Sequence, residues 1–191
     1  MTEIEDEKLV TLYLEGNQSA FEILVKRYTA SIYNFVGQFV GYGANAEDIV
    51  QETFIKVWKS LKKFDKSKKF KPWLYRIARN TAFDYLRKHK IEFSLEVLDE
   101  KEDSQDYFFP DSKPNPFEQI VLSQSRQAIF DFVRQLPAIY AVVLKLYYLE
   151  EFSLPEISGI LAEPIDTVKS RHRRALLKLE KLLSDSKKTS F

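Results

Sequence analysis

Apolar residues recur at helical spacing along almost the whole chain, and this periodicity constrains the fold more than any other feature. Phe21, Leu24, Val25, Tyr28, Ile32, Phe35, Val36 and Phe39 make one stripe, and Val50, Phe54, Val57 and Leu61 another. At 3.6 residues per turn each stripe falls on one helix face, so the predicted class is all-α. Three of the five glycines, Gly37, Gly41 and Gly43, mark a break after the first long helix. Asn45 or Asp48 is placed to cap the helix that follows.

Two small helical domains are expected. The first spans 1–90. Residues 91–118 then combine acidic runs with Pro110, Pro114 and Pro116, a composition that buries too little apolar surface to order itself. This reads as a flexible acidic linker. Phe93, Leu95, Val97, Leu98, Tyr107, Phe108 and Phe109 make it too apolar for a pure spacer, so parts of it are expected to dock in a groove or on a partner. The second domain, 119–191, carries a stripe through Val121, Ser125, Ile129, Phe132, Val133 and Leu136. Pro137 suits the first turn of the next helix. Ser153 and Glu156 have capping-box spacing for a short helix through Ile157, Ile160 and Leu161. After a break at Ala162-Glu163-Pro164, Asp166 is placed to cap a last helix that turns Val168, Ala175, Leu179 and Leu182 inward. Short helix, tight turn and longer basic helix form a helix-turn-helix.

Composition excludes several classes. No apolar run approaches the roughly 18 residues that span a bilayer, and the acidic opening Met1 to Glu7 is no secretory signal, so a cytoplasmic protein is expected. With no cysteine, and with its two histidines, His89 and His172, in different halves of the chain, neither disulfides nor a structural metal are expected. No cofactor motif is present. The net charge of +1 hides a strong segregation: 13 Lys/Arg against two Asp/Glu from Lys56 to Lys90, eight against three from Asp166 to Lys188, and nine acidic against two basic residues from Ile91 to Glu118. Two cationic surfaces joined by an acidic strap suit two polyanion contacts, because neutralising phosphates takes clustered cations rather than a high total.

Three stretches carry candidate function. On the last helix, Ser170, Arg173 and Arg174 lie opposite the apolar side, flanked by Thr167, Lys169 and Arg171. Such side chains near a helix N-terminus reach base edges and phosphates in a major groove. In the run Phe70 to Arg87, Leu74, Ile77, Ala78, Thr81 and Tyr85 share an inward face and leave Arg76, Asn80, Phe83 and Arg87 as an outward stripe. Cations that follow a backbone, an aromatic that stacks and an amide that reads a base edge suit single-stranded DNA. Trp73 lies nearby, and the loop with Phe64, Lys68 and Lys69 is placed to line a pocket for an extruded base. Packing of Phe83 and Trp73 against the linker is the plainer alternative. In the third stretch, Ala46 to Lys59, Ile55 sits among Asp48, Gln51, Glu52 and Lys59 with Trp58 at the edge, an apolar centre with a polar rim suited to docking another protein.

The runs Ala46-Glu47-Asp48-Ile49-Val50-Gln51-Glu52-Thr53-Phe54 through Trp58, Trp73-Leu74-Tyr75-Arg76-Ile77-Ala78-Arg79-Asn80, and Thr167-Val168-Lys169-Ser170-Arg171, in that order, resemble those of the extracytoplasmic-function (ECF) sigma factors of the sigma-70 family. The resemblance implies a non-enzymatic initiation factor that carries core RNA polymerase to promoters. Asp48, Gln51, Glu52, Ile55 and Trp58 would dock on the clamp helices of the largest subunit. Phe64, Lys68, Lys69, Trp73, Arg76, Asn80, Phe83 and Arg87 would bind the non-template strand of the minus-ten element, and Thr167, Lys169, Ser170, Arg171, Arg173 and Arg174 the minus-thirty-five groove. It also implies an anti-sigma partner, and a linker that runs through the RNA exit path with Glu100, Glu102 and Asp103 mimicking nucleic acid. The chain departs from the family pattern at the turn, where Ala162-Glu163 replaces the usual glycine, and at Pro155, His172 and Arg173. Two other readings compete: a helix-turn-helix repressor or activator acting without polymerase, and a helical phosphohydrolase using Glu47, Asp48 and Glu52 as metal ligands, which would need matching ligands on a facing helix.

Overall fold

A computed structural model of the chain describes residues 4–90 and 132–188, with side chains as far as 185. The expected linker, the stripe through Val121, Ser125 and Ile129, and the acidic trio Glu100, Glu102 and Asp103 lie outside the described residues. Within them every regular element is helical, as the periodicity predicts.

The N-terminal block holds α1 (Asp6–Leu14), α2 (Gln18–Val40), α3 (Ala44–Ser60), a 3-10 turn (Leu61–Lys63) and α4 (Phe70–Lys88). α2 packs against α1, α3 and α4, and α4 touches the other three. Leu9, Leu24, Ile32, Ile49, Leu74 and Tyr75 are among the side chains enclosed completely, each contributing about 1.5–3 kcal/mol through loss of apolar surface from water. α1 was not marked by the sequence periodicity. It is fastened by polar contacts: the Asp6 carboxylate accepts hydrogen bonds from both Arg27 and the Tyr28 hydroxyl, and burial, reinforced by that carboxylate, pushes the Tyr28 phenol well above its ordinary pKa. Glu7 Oε1 accepts the Phe70 backbone N–H at 2.8 Å, which satisfies one orphan donor at the start of α4.

α2 ends where Gly41 takes φ +80° and returns its N–H to Gly37 O at 3.0 Å. α3 starts at Ala44, so Asn45 and Asp48 lie inside the helix and neither caps it; Gly43, at φ +127°, holds the cap position and donates its N–H to the Tyr33 hydroxyl at 3.0 Å. A Cβ on Gly37 would stand 2.6 Å from the Tyr42 ring, so only glycine lets that ring fold back over α2.

The C-terminal block opens with a helical stretch that ends at Gln135. It continues with α5 (Ala138–Tyr148) and α7 (Ile165–Lys188), which pack on each other; α6 (Leu154–Leu161) lies between them in sequence. Pro137 precedes the first turn of α5 rather than lying in it, and its carbonyl accepts the N–H groups of Tyr140 and Ala141. Val133, Leu136, Ala141, Leu144, Ala175, Leu179 and Leu183 form one buried cluster. Leu183 takes the enclosed place expected of Leu182, which is half-buried beside it. Asp166 sits within the first turn of α7 instead of capping it, since the Pro164 carbonyl already accepts the Val168 N–H.

Candidate functional site

The turn between α6 and α7 is built like a helix C-cap. Ala162 adopts φ +54°, Glu163 donates its N–H back to Ser158 O at 3.1 Å, and the Ser158 hydroxyl donates to Glu163 O at 2.6 Å. This is the Schellman arrangement, in which glycine normally holds the left-handed position. On α7, Lys169 is exposed and lies 3.8 Å from Asp166. Thr167, Ser170, Arg171, Arg173 and Arg174 are half-buried, while Val168 and Ala175 are enclosed. His172 lies among them against α5, its ring 4.6 Å from that of Tyr147 and stacked at 5.8 Å on Tyr148. Burial without a hydrogen-bond partner for Nε2 lowers its pKa to about 4, so the ring is neutral and packs as an aromatic against Tyr147 and Tyr148.

α4 presents Arg76, Asn80 and Arg87 to solvent. Its buried face is wider than expected: Leu74, Ala78 and Thr81 are enclosed as predicted, but so are Tyr75, Ala82 and Leu86, while Ile77 and Tyr85 are half-exposed. The reason is that α4 meets both α2 and α3. Phe83, expected in the outward stripe, is half-buried, with its ring 5.5 Å from Phe39 of α2 and the Arg79 guanidinium 4.1 Å above it. Sequence pattern alone gives Arg79 no role; its spacing of four from Phe83 is the one signal that marks the contact. Arg87 pairs with Asp84 at 2.7 Å, and Asp84 lies 3.6 Å from Lys56, which pairs with Glu52 at 2.9 Å.

The loop before α4 is more ordered than the open basic loop expected. The Ser67 backbone and hydroxyl both donate to Asp65 Oδ1, at 3.0 and 2.7 Å, and these bonds hold the Asp65 carboxyl below its usual pKa. Phe64 points inward, only 7% exposed, with its ring 6.0 Å from Phe70 and 4.9 Å from Trp73. It therefore forms the floor of the loop instead of an exposed stacking surface. Trp73 is half-buried in that aromatic cluster, and Lys68 and Lys69 are exposed.

On the outer face of α3, Ile55 and Trp58 are 51% and 52% exposed. Asp48, Gln51, Glu52 and Lys59 are exposed around them. All five residues expected to dock a protein lie together on this face. Among the described residues no group of three or more His, Asp or Glu side chains is placed to hold a metal ion, and no helix is long and apolar enough to cross a membrane.

A short helix, a tight turn and a cationic last helix in sequence, in one chain with a cationic face on α4, fit a DNA-binding regulatory protein. Comparison with known proteins makes the class specific. Residues 24–91 match the Sigma-70 region 2 family and residues 126–179 the Sigma-70 region 4 family. The chain is 34% identical over 173 residues to the ECF RNA polymerase sigma factor SigW of Bacillus subtilis, covering 90% of this chain and 92% of that protein. It is 33% identical over 175 residues to the ECF RNA polymerase sigma-E factor of Escherichia coli K12, covering 91% of each. A solved structure of CnrH in complex with the cytosolic domain of CnrY superposes with a TM-score of 0.60 at 26% identity, covering 94% of this chain and 97% of that one. The sigma factor RpoE, solved in complex with the anti-sigma factor NepR from Bartonella quintana, superposes at 0.59 with 26% identity, over 86% and 96%. The chain belongs to the ECF sigma factors of the sigma-70 family. It is accordingly a transcription initiation factor that directs RNA polymerase.

Proposed function

We propose that this factor docks on the clamp helices of the polymerase's largest subunit through Asp48, Gln51, Glu52, Ile55 and Trp58, and that two further surfaces read the promoter. The α4 stripe of Arg76, Asn80 and Arg87, with Lys68 and Lys69 beside it, takes the non-template strand of the minus-ten element as it opens. Phe64, Trp73 and Phe83 support that surface from beneath. Thr167, Lys169, Ser170, Arg171, Arg173 and Arg174 on α7 take the minus-thirty-five groove. Functionally the chain divides into 1–90 for docking and melting, 91–118 as linker and 119–191 for upstream binding. The observation that carries this reading is the pairing, on adjacent helices of one block, of a half-exposed Ile55 and Trp58 in a polar rim with a cationic stripe ending at Arg87. A repressor acting without polymerase would have no use for the first of these faces. An anti-sigma partner, as in the complex of RpoE with NepR, and action in the cytoplasm complete the proposal.

The test is whether the purified chain co-elutes with bacterial core polymerase and lets it start transcripts from selected members of a promoter library. Co-elution with selective initiation is expected. Binding to duplex DNA with none to core polymerase would overturn the docking role of α3.

A further inference from the structure

Asn80 alone is an ambiguous reader. Its amide offers an acceptor on one side and two donors on the other, and rotation about its last side-chain bond exchanges them. Its neighbour removes the ambiguity. The Arg79 guanidinium contacts Asn80 Oδ1 at 3.2 Å, and because a guanidinium carries donors only, the amide atom that faces it has to be the oxygen. Arg79 is itself held in place, with its guanidinium carbon 4.1 Å from the centre of the Phe83 ring one turn along α4. That ring packs edge-on at 5.5 Å against Phe39 of α2. A chain of contacts thus leads from the packed interior through Phe83 and Arg79 to an exposed amide, and it leaves Asn80 with Nδ2 as the group turned away from Arg79.

We propose that Arg79 is a positioning residue that makes Asn80 a hydrogen-bond donor, so that the promoter base it meets is read as a keto base, guanine or thymine. Guanine O6 and thymine O4 are acceptors, whereas adenine N6 and cytosine N4 are amino donors at the corresponding exocyclic position. An amide that leads with Nδ2 meets the first pair with a hydrogen bond and the second with two opposed donors. The inference rests on the minus-ten role proposed above for α4.

The test uses the full chain bound to core RNA polymerase, with fork-junction DNA that carries each of the four bases in turn at every non-template position of the minus-ten element. The unaltered factor is expected to favour guanine and thymine over adenine and cytosine by about fivefold at one position, the effect of one hydrogen bond. Arg79→Met keeps a long helix-forming side chain but no donor, and should bring that ratio close to one at that position alone. Arg79→Lys restores a donor and a cation over the ring and should recover much of the preference. Asn80→Asp, which has no N–H to donate, should reverse it towards amino bases. A keto preference that is unchanged in Arg79→Met, or that survives in Asn80→Asp, overturns the inference and leaves the minus-ten role standing. Absence of any base preference in the unaltered factor overturns both.

Discussion

Ile55 and His172 show how much one side chain's surroundings decide. Ile55 is as apolar as the core residue Ile49 six positions earlier, yet half of it faces water, ringed by Asp48, Gln51, Glu52 and Lys59. Ile55→Glu should therefore lower affinity for core polymerase at least tenfold, as expected for an anchor at the centre of an interface, while the thermal midpoint of the free protein moves little. A fluorescence titration against core polymerase checks this, and an unchanged affinity would move the docking surface off α3. His172 is the opposite case, a titratable ring where the packing wants an aromatic. Burial holds it near 4 in the folded block, against about 6.5 when exposed. As pH falls, the unfolded chain takes up the proton first. Stability is complete above about pH 6.5 and declines between 6.5 and 4, by about 1–2 kcal/mol after allowing for the ring's partial exposure. Denaturant melts of the unaltered protein and of His172→Phe across this range should differ in slope, and parallel curves would show that other groups set the acid limit.

At the scale of elements, helices were legible wherever one apolar stripe faces one neighbour. The α2 stripe from Phe21 to Phe39 and the inward Val168, Ala175 and Leu179 of α7 were read directly. The edges of α4 depart from the periodic reading because it packs against more than one helix, so the buried arc takes in Tyr75 and Ala82, residue types that periodicity leaves undecided. α1 escaped notice because its acidic first turn resembles a solvated end, and what fastens it is the pairing of Asp6 with Arg27 and Tyr28, whose partners lie 21 and 22 positions away. The turn before α7 shows a different limit. Glycine is the residue the left-handed position favours, and Ala162 occupies it at φ +54°, where a Cβ crowds the neighbouring carbonyl. Ala162→Gly should stabilise the folded protein by about 0.5–1 kcal/mol, measured by chemical denaturation. A loss would mean that restricting the unfolded chain outweighs relief of the folded turn.

Across the whole molecule, the site was legible as charge before it was legible as geometry. The +1 total conceals two cationic segments and an acidic one, and the two cationic segments run from the end of α3 through α4 and along α7. Sequence could not tell which aromatics support a surface and which form it. Phe64 turned inward and Phe83 half-buried depend on Phe70, Trp73 and Phe39, and no local pattern announces those partners.

The ion pairs that join Arg87, Asp84, Lys56 and Glu52 run from the stripe on α4 to the rim on α3. Solvent reaches all four side chains, so each pair adds about 0–1 kcal/mol to stability at most. Their consequence is partner exchange. On the proposed role of Arg87, a phosphate that takes it releases Asp84 towards Lys56, and Asp84 then tends to gather a cation from solution, which offsets part of the counterion release that drives binding. Asp84→Asn removes this offset. It should tighten binding of polymerase-bound factor to single-stranded non-template DNA at low salt, and should steepen the dependence of log affinity on log salt by up to about 0.7. An unaltered slope would show that Arg87 keeps its carboxylate throughout. Because Lys56 also holds Glu52, the proposed roles of the two faces imply a thermodynamic link: whatever DNA at Arg87 does to polymerase binding at Glu52, the polymerase does in equal measure to DNA.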